Sequence, residues 1–134
     1  MHPSRYMFGI LPLTVALTLP VQAADPGVAE MGKIRFMENC AVCHAEDGKG
    51  GGPFATLLKA APSDLTTLSE RNGGEFPFNK VYDMVDGRTM PAAHGTPDMP
   101  IWGGEWKHKS MVGAETEVRG RILEMIVYLR SIQK

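Results

Sequence analysis

Cys40-Ala41-Val42-Cys43-His44 is the stretch that decides how this chain is read. Two cysteines separated by two residues, with a histidine directly after the second, form the C-x-x-C-H pattern that attaches a c-type haem. Each member has a chemical task. The thiols add across the two vinyl groups as thioethers, and their spacing matches the separation of those vinyls. His44 is thereby held under the iron, where its imidazole serves as the proximal axial ligand. Three plainer readings are weaker. A thioredoxin-like dithiol calls for a βαβ setting that the flanking sequence does not offer. Structural zinc needs four ligands, whereas the chain has two cysteines, and His94 and His108 lie at no zinc-finger spacing from them. A disulfide suits an exported chain but leaves His44 and the downstream Met-Pro segments idle.

Working towards the N-terminus, residues 1–23 read as a secretory signal peptide. Arg5 supplies the positive start, Met7 to Leu19 the apolar stretch, and Val21-Gln22-Ala23 the small residues of a cleavage site. This stretch, interrupted by Pro12 and ended by Pro20, falls short of the roughly 20 residues that span a bilayer. No cysteine near the cleavage site offers a lipid anchor, and no later segment is apolar enough to span. The expectation is a periplasmic chain of residues 24–134, one domain in size, in the compartment where bacteria attach haem covalently. Loss of Arg5 with the leader takes the formal charge from −1 to −2. That balance argues against nucleic acid or an anionic membrane as partner.

The mature chain reads as all-α with long loops. Asp25-Pro26 is a helix start, and Val28, Met31, Ile34, Phe36 and Met37 approximate one helical face leading into Cys40. Gly48, Gly50, Gly51, Gly52 and Pro53 make a loop, expected to wrap closely over the haem edge. Phe54 to Lys59 is a candidate short helix. Residues 61–65 are extended or turning, and Arg71-Asn72-Gly73-Gly74 is a turn. Asn79 is expected to cap a helix through Val81, Tyr82 and Val85 that Gly87 stops. Residues 88–113, rich in proline and glycine, are expected to form an irregular lobe, and a loop of that length usually has a function. Val118, Ile122, Met125, Ile126, Leu129 and Ile132 then mark an amphipathic last helix.

That lobe holds the candidates for the sixth iron position. Met90-Pro91 and Met99-Pro100 each present a thioether, a soft donor that favours ferrous iron, next to a proline that keeps the chain out of helix. Flanking bulk at Ile101 and Trp102 suits Met99 to walling off a haem. His94 is a third candidate, although His94-Gly95-Thr96-Pro97 reads equally well as a turn.

Taken together these motifs resemble the class I c-type cytochromes, specifically small exported bacterial monohaem members, over residues 28–132. Gly32 and Phe36 resemble the G-x-x-x-F signature of that family's first helix, and Tyr128, with Met125 one turn earlier, falls where its last helix crosses the first. Pro53 resembles the proline whose carbonyl accepts the haem-histidine Nδ1 proton. Pro62-Ser63-Asp64-Leu65-Thr66, Gly87-Arg88 and His94-Gly95 through Met99-Pro100-Ile101-Trp102-Gly103 resemble a series recurring in one bacterial subgroup. There the methionine before Pro-x-Trp-Gly is the distal ligand, which implies Met99 over Met90, with Trp102 in the haem pocket. Ala45, where glycine commonly follows the histidine, and the second Met-Pro at Met90 are departures.

The resemblance implies a cytochrome c fold, its terminal helices crossing around one covalently bound haem c. It further implies an electron carrier and no enzyme, exchanging single electrons with a dehydrogenase, an oxidase or another cytochrome, as a monomer or as a subunit of a redox complex. The rival expectations are a small-molecule-binding or peroxidase-like haem protein with a labile sixth ligand, and a dedicated electron-transfer subunit. Lys49, Lys59, Lys107 and Lys109 are the basic residues expected nearest the haem-bearing side, where charge steers redox encounters. Each on its own also reads as an ordinary solvated lysine.

Overall fold

The computed structural model describes residues 26–88, 99–109 and 113–134. The leader expected at 1–23 and the candidate ligands Met90 and His94 lie outside the described residues. Among the described residues five helices carry the fold: α1 (Pro26–Asn39), α2 (Ala41–His44), α3 (Phe78–Asp86), α4 (Trp102–Lys109) and α5 (Ala114–Ser131). Short 3-10 turns lie at Ala55–Leu57, Leu65–Thr67 and Glu70–Asn72, and there is no strand among the described residues. The fold class is therefore all-α, as the sequence implies.

The crossing of α1 and α5 is built on a missing side chain. A Cβ on Gly32 would lie 2.0 Å from the Glu124 carbonyl oxygen and 2.8 Å from Tyr128 Cβ. Only glycine lets the backbones approach this closely. One turn on, Phe36 meets Tyr128 with ring centroids 5.3 Å apart and planes tilted by 50°, a geometry aromatic pairs favour. Arg35 and Glu124 pair across the same seam. Below it Phe36, Val118, Ile122, Met125 and Ile126 are fully buried. Gly32→Ala is expected to overpack this contact and cost about 1–3 kcal/mol, read as a lower denaturant midpoint. An unchanged midpoint would show that the seam yields freely.

The apolar face read along α1 is corrected here. Met31, Ile34 and Met37 are exposed, while Gly32 and Phe36 are buried. The seam follows the small residue that permits contact, and the three larger side chains fall on the outer face.

Helix α3 begins at Phe78 after Pro77, with no cap from Asn79. Pro77 has no N–H to lose and a fixed φ, which suits the helix start. Gly87 ends it as expected, at φ 64° with its N–H on the Asp83 carbonyl at 2.8 Å.

The irregular lobe is corrected as well, because Trp102–Lys109 is helical. Gly103 and Gly104 disguise it, yet Gly103 is needed for a close approach to α3. Trp106 is 3% exposed and stacks on Trp102 at 5.6 Å. Burying an indole of this size outweighs the roughly 1 kcal/mol that each glycine costs a helix.

The glycine-rich loop does not line the central cavity, which corrects its expected place over the haem edge. It is laced to α2 instead. The N–H groups of Gly50, Gly52 and Phe54 donate to the carbonyls of His44, Cys43 and Val42 at 2.8, 3.0 and 2.9 Å. Those are carbonyls a helix end leaves without partners. A Cβ on Gly52 would sit 2.6 Å from the Ala41 and Val42 carbonyl oxygens, so the lacing requires glycine there.

Candidate functional site

Helix α2 is a single turn with a specific consequence. Cys40 and Cys43 stand three residues apart and Cys40 and His44 four, so all three share one face. The Cys43 and His44 N–H groups close this turn on the Cys40 carbonyl at 3.0 and 2.8 Å. Their side chains line a cavity of about 430 Å³. Met99 and Trp102 line the same cavity. The structure thus gathers five of the residues singled out in the sequence, from the turn at α2 and from the stretch that leads into α4.

Ala45 ends α2 at φ 63° and ψ 162°, a region open almost only to glycine. Strain there is of order 1–3 kcal/mol, and glycine's greater unfolded entropy returns part of it. Ala45→Gly is therefore expected to stabilise the protein by about 1 kcal/mol, measured by denaturant unfolding. Destabilisation would show that Ala45 relaxes into an ordinary conformation.

His44 Nδ1 lies 3.1 Å from the Ser63 carbonyl oxygen. This corrects the role expected of Pro53, which is exposed and does not line the cavity. The reason is packing of the 62–65 segment onto the glycine loop. Leu65 N–H donates to the Gly48 carbonyl at 2.7 Å, and a Cβ on Gly50 would fall 2.4 Å from the Pro62 carbonyl oxygen. Asp64 holds the segment's shape, its Oδ1 accepting from Thr66 N–H and Oγ1 at 2.8 and 2.6 Å. Burial draws the His44 pKa below its ordinary value, partly countered by the Ser63 bond. With Nδ1–H donating to the Ser63 carbonyl, Nε2 of the imidazole is left to coordinate. Burial, and then the neighbouring Cys43, push the Cys40 thiol up to about 12. Both cysteines are free, and Cys40 Sγ lies 4.0 Å from Met125 Sδ.

The remaining lining is apolar, with Leu58, Leu68, Val81 and Val85 among it, but Arg71 and Lys80 also line it, with Asn39 and Asn72. Sequence reasoning missed these polar members. The available signal was Lys80 and Met84 one turn apart on α3, both in the lining. Of the four lysines expected near this side, none lines the cavity. Lys49 pairs with Asp47 at 3.1 Å and Lys107 with Glu115 at 2.7 Å. A flat apolar group with acidic edges, two thiol-reactive carbons and a metal accepting nitrogen and sulfur matches this donor set. The residues present fit a haem.

The family model for cytochrome c matches residues 29–103, more than half of the chain. The chain belongs to the cytochrome c family. This cytochrome c is an electron-transfer haem protein, and the family implies covalent haem c. It is similar to the Cbb3-type cytochrome c oxidase subunit FixPc of Rhizobium leguminosarum bv. viciae, 33% identical over 81 residues. That match covers 60% of this chain and 23% of the relative, so the cytochrome spans less than a quarter of the relative's length. No solved structure matches it significantly. Among the described residues no helix is long and apolar enough to cross a membrane.

Proposed function

We propose that this chain is a monohaem electron carrier of the periplasm, exchanging single electrons between protein redox partners without being an enzyme itself. The observation that carries the reading is the shared cavity, which presents Cys40, Cys43, His44 and Met99 within one apolar lining. Cys40 and Cys43 would hold the haem through thioethers, with His44 and Met99 as its axial ligands. A haem held between histidine and methionine supplies reversible one-electron exchange between ferric and ferrous iron.

The chain's own residues set the conditions for that exchange. Ser63 fixes the tautomer and orientation of the His44 ring through the Nδ1 bond. Met99 offers a soft, neutral donor that favours the lower charge state. The apolar walls keep water from the ligands, and Arg71 and Lys80 offer cations suited to carboxylate edges. A haem held by both His44 and Met99 would leave no iron site for substrate, which supports the carrier reading over a peroxidase-like one. The signal-peptide pattern of residues 1–23 supports the periplasmic location.

The similarity to an oxidase subunit favours one refinement. The terminal partner is a haem oxidase, which this cytochrome serves either as a dedicated subunit or as a diffusing donor. A potentiometric titration of the purified holoprotein, with pyridine-haem analysis, tests the core reading. It should give one wave of one-electron slope and one c-type haem per chain. Two waves, or a ferrous form that binds carbon monoxide without any mutation, would contradict it.

A further inference from the structure

The chain that returns at Met99 runs beside a partly buried ion-pair knot at the end of α3. Asp86, the last residue of α3, has a side chain only 8% exposed. Arg88 Nε donates to Asp86 Oδ1 at 2.8 Å, and Arg88 Nη2 lies at the same distance from it. Nη1 of the same guanidinium donates to both carboxylate oxygens of Glu115, at the start of α5, at 2.8 and 3.0 Å. Lys107 of α4 reaches Glu115 too, at 2.7 Å. Residues of α3, α4 and α5 thus meet around one arginine.

The returning chain is pressed onto that knot. A Cβ on Gly103 would fall 2.2 Å from Asp86 Oδ1 and 2.7 Å from Arg88 Nε. A Cβ on Gly87 would fall 3.2 Å from Ile101 Cγ2. Positions 101 and 103 are two and four residues beyond Met99, so the clamp acts directly on the stretch that presents the thioether. Asp86, Arg88 and Glu115 themselves do not line the cavity, so they act on it through neighbours that do, Met99 among them. A carboxylate this buried needs its partner, which fixes Arg88, and the planar guanidinium engages two carboxylates in a geometry lysine cannot copy.

We propose that Asp86, Arg88 and Glu115 form a positioning clasp that keeps Met99 seated as the iron ligand. The proposal rests on the reading of Met99 as distal ligand. A neutral thioether competes poorly with added nitrogen donors, so its hold depends on how rarely the returning segment lifts. The apparent affinity of a competing ligand rises with the fraction of protein in the lifted state.

The test is an imidazole titration of the ferric holoprotein, followed at the far-red sulfur-to-iron charge-transfer band, beside thermal melts read by helical circular dichroism. Arg88→Gln should tighten apparent imidazole binding by about tenfold or more. Glu115→Gln, which leaves the Asp86 arm intact, should tighten it by less, and Arg88→Lys should resemble Arg88→Gln more than the wild type. Glu115 is half exposed, so its variant keeps the test available if Arg88→Gln fails to fold. Gly32→Ala serves as a control lesion distant from the clasp. Clasp variants that melt no lower than Gly32→Ala yet bind imidazole more tightly support the proposal. Variants with wild-type imidazole affinity, or with affinity changes that Gly32→Ala reproduces at equal loss of stability, overturn the clasp alone. A wild type without the band overturns the Met99 reading and the clasp together.

Discussion

Met99→Ala is expected to open the iron to carbon monoxide in the ferrous form, a ligand the wild-type protein should not bind. The same change should erase the far-red sulfur-to-iron band of the ferric protein and lower the reduction potential, because the soft donor favouring ferrous iron is gone. All three effects follow from one sulfur atom. Met99 is partly buried against the core and lines the cavity shared by Cys40, Cys43 and His44. Met90→Ala should leave the three properties intact. Optical spectra with and without carbon monoxide, and a redox titration of each variant, decide the matter. Should Met90→Ala behave as Met99→Ala is expected to, the fold and haem attachment stand and the ligand assignment fails. Absence of the band from the wild-type protein would point to His94 or an open position.

The second large effect belongs to the attachment itself. Cys40→Ala is expected to leave at most one thioether, and Cys40→Ala with Cys43→Ala should leave none. His44→Ala should impair haem incorporation and remove the nitrogen that Ser63 orients at 3.1 Å. Val81, Val85 and Leu129 belong to the core and line the cavity; a haem seated there would complete that core, so the double variant should lose cooperative folding as well as colour. Haem-stained denaturing gels and near-ultraviolet circular dichroism measure both losses. A double variant that retains haem through denaturation would place the covalent link elsewhere.

Much of this arrangement was legible in the chain because its signals are side-chain identities at fixed spacing. Cys40, Cys43 and His44 carry their chemistry in three letters and a gap, and Gly32, Phe36 and Tyr128 announce a helix crossing that the structure shows at contact distance. What stayed hidden rests on backbone or on absence. The partner of His44 is a carbonyl, which every residue possesses, so nothing in the letters distinguishes Ser63 from Pro53. The face of α1 was misread because Met31, Ile34 and Met37 dominate a hydrophobic pattern while the true seam runs through a glycine. Helix α4 was missed because Gly103 and Gly104 read as breakers, whereas Gly103 is where α4 presses against Asp86 and Arg88. Arg71 and Lys80 looked like ordinary surface cations until the fold placed them in the lining. Ala45 is a different case. The sequence showed that it departs from the family's glycine, and the structure supplies the reason in its positive φ.

The central claim is that one haem is bound covalently through Cys40 and Cys43. Denaturing mass spectrometry of the wild-type protein, produced with a cytochrome c maturation system, tests it most directly. The account predicts a single species with the mass of the chain from Ala24 plus one haem, and a tryptic peptide containing both cysteines that carries the added mass. A polypeptide of unmodified mass, with both thiols free to alkylation, would contradict it.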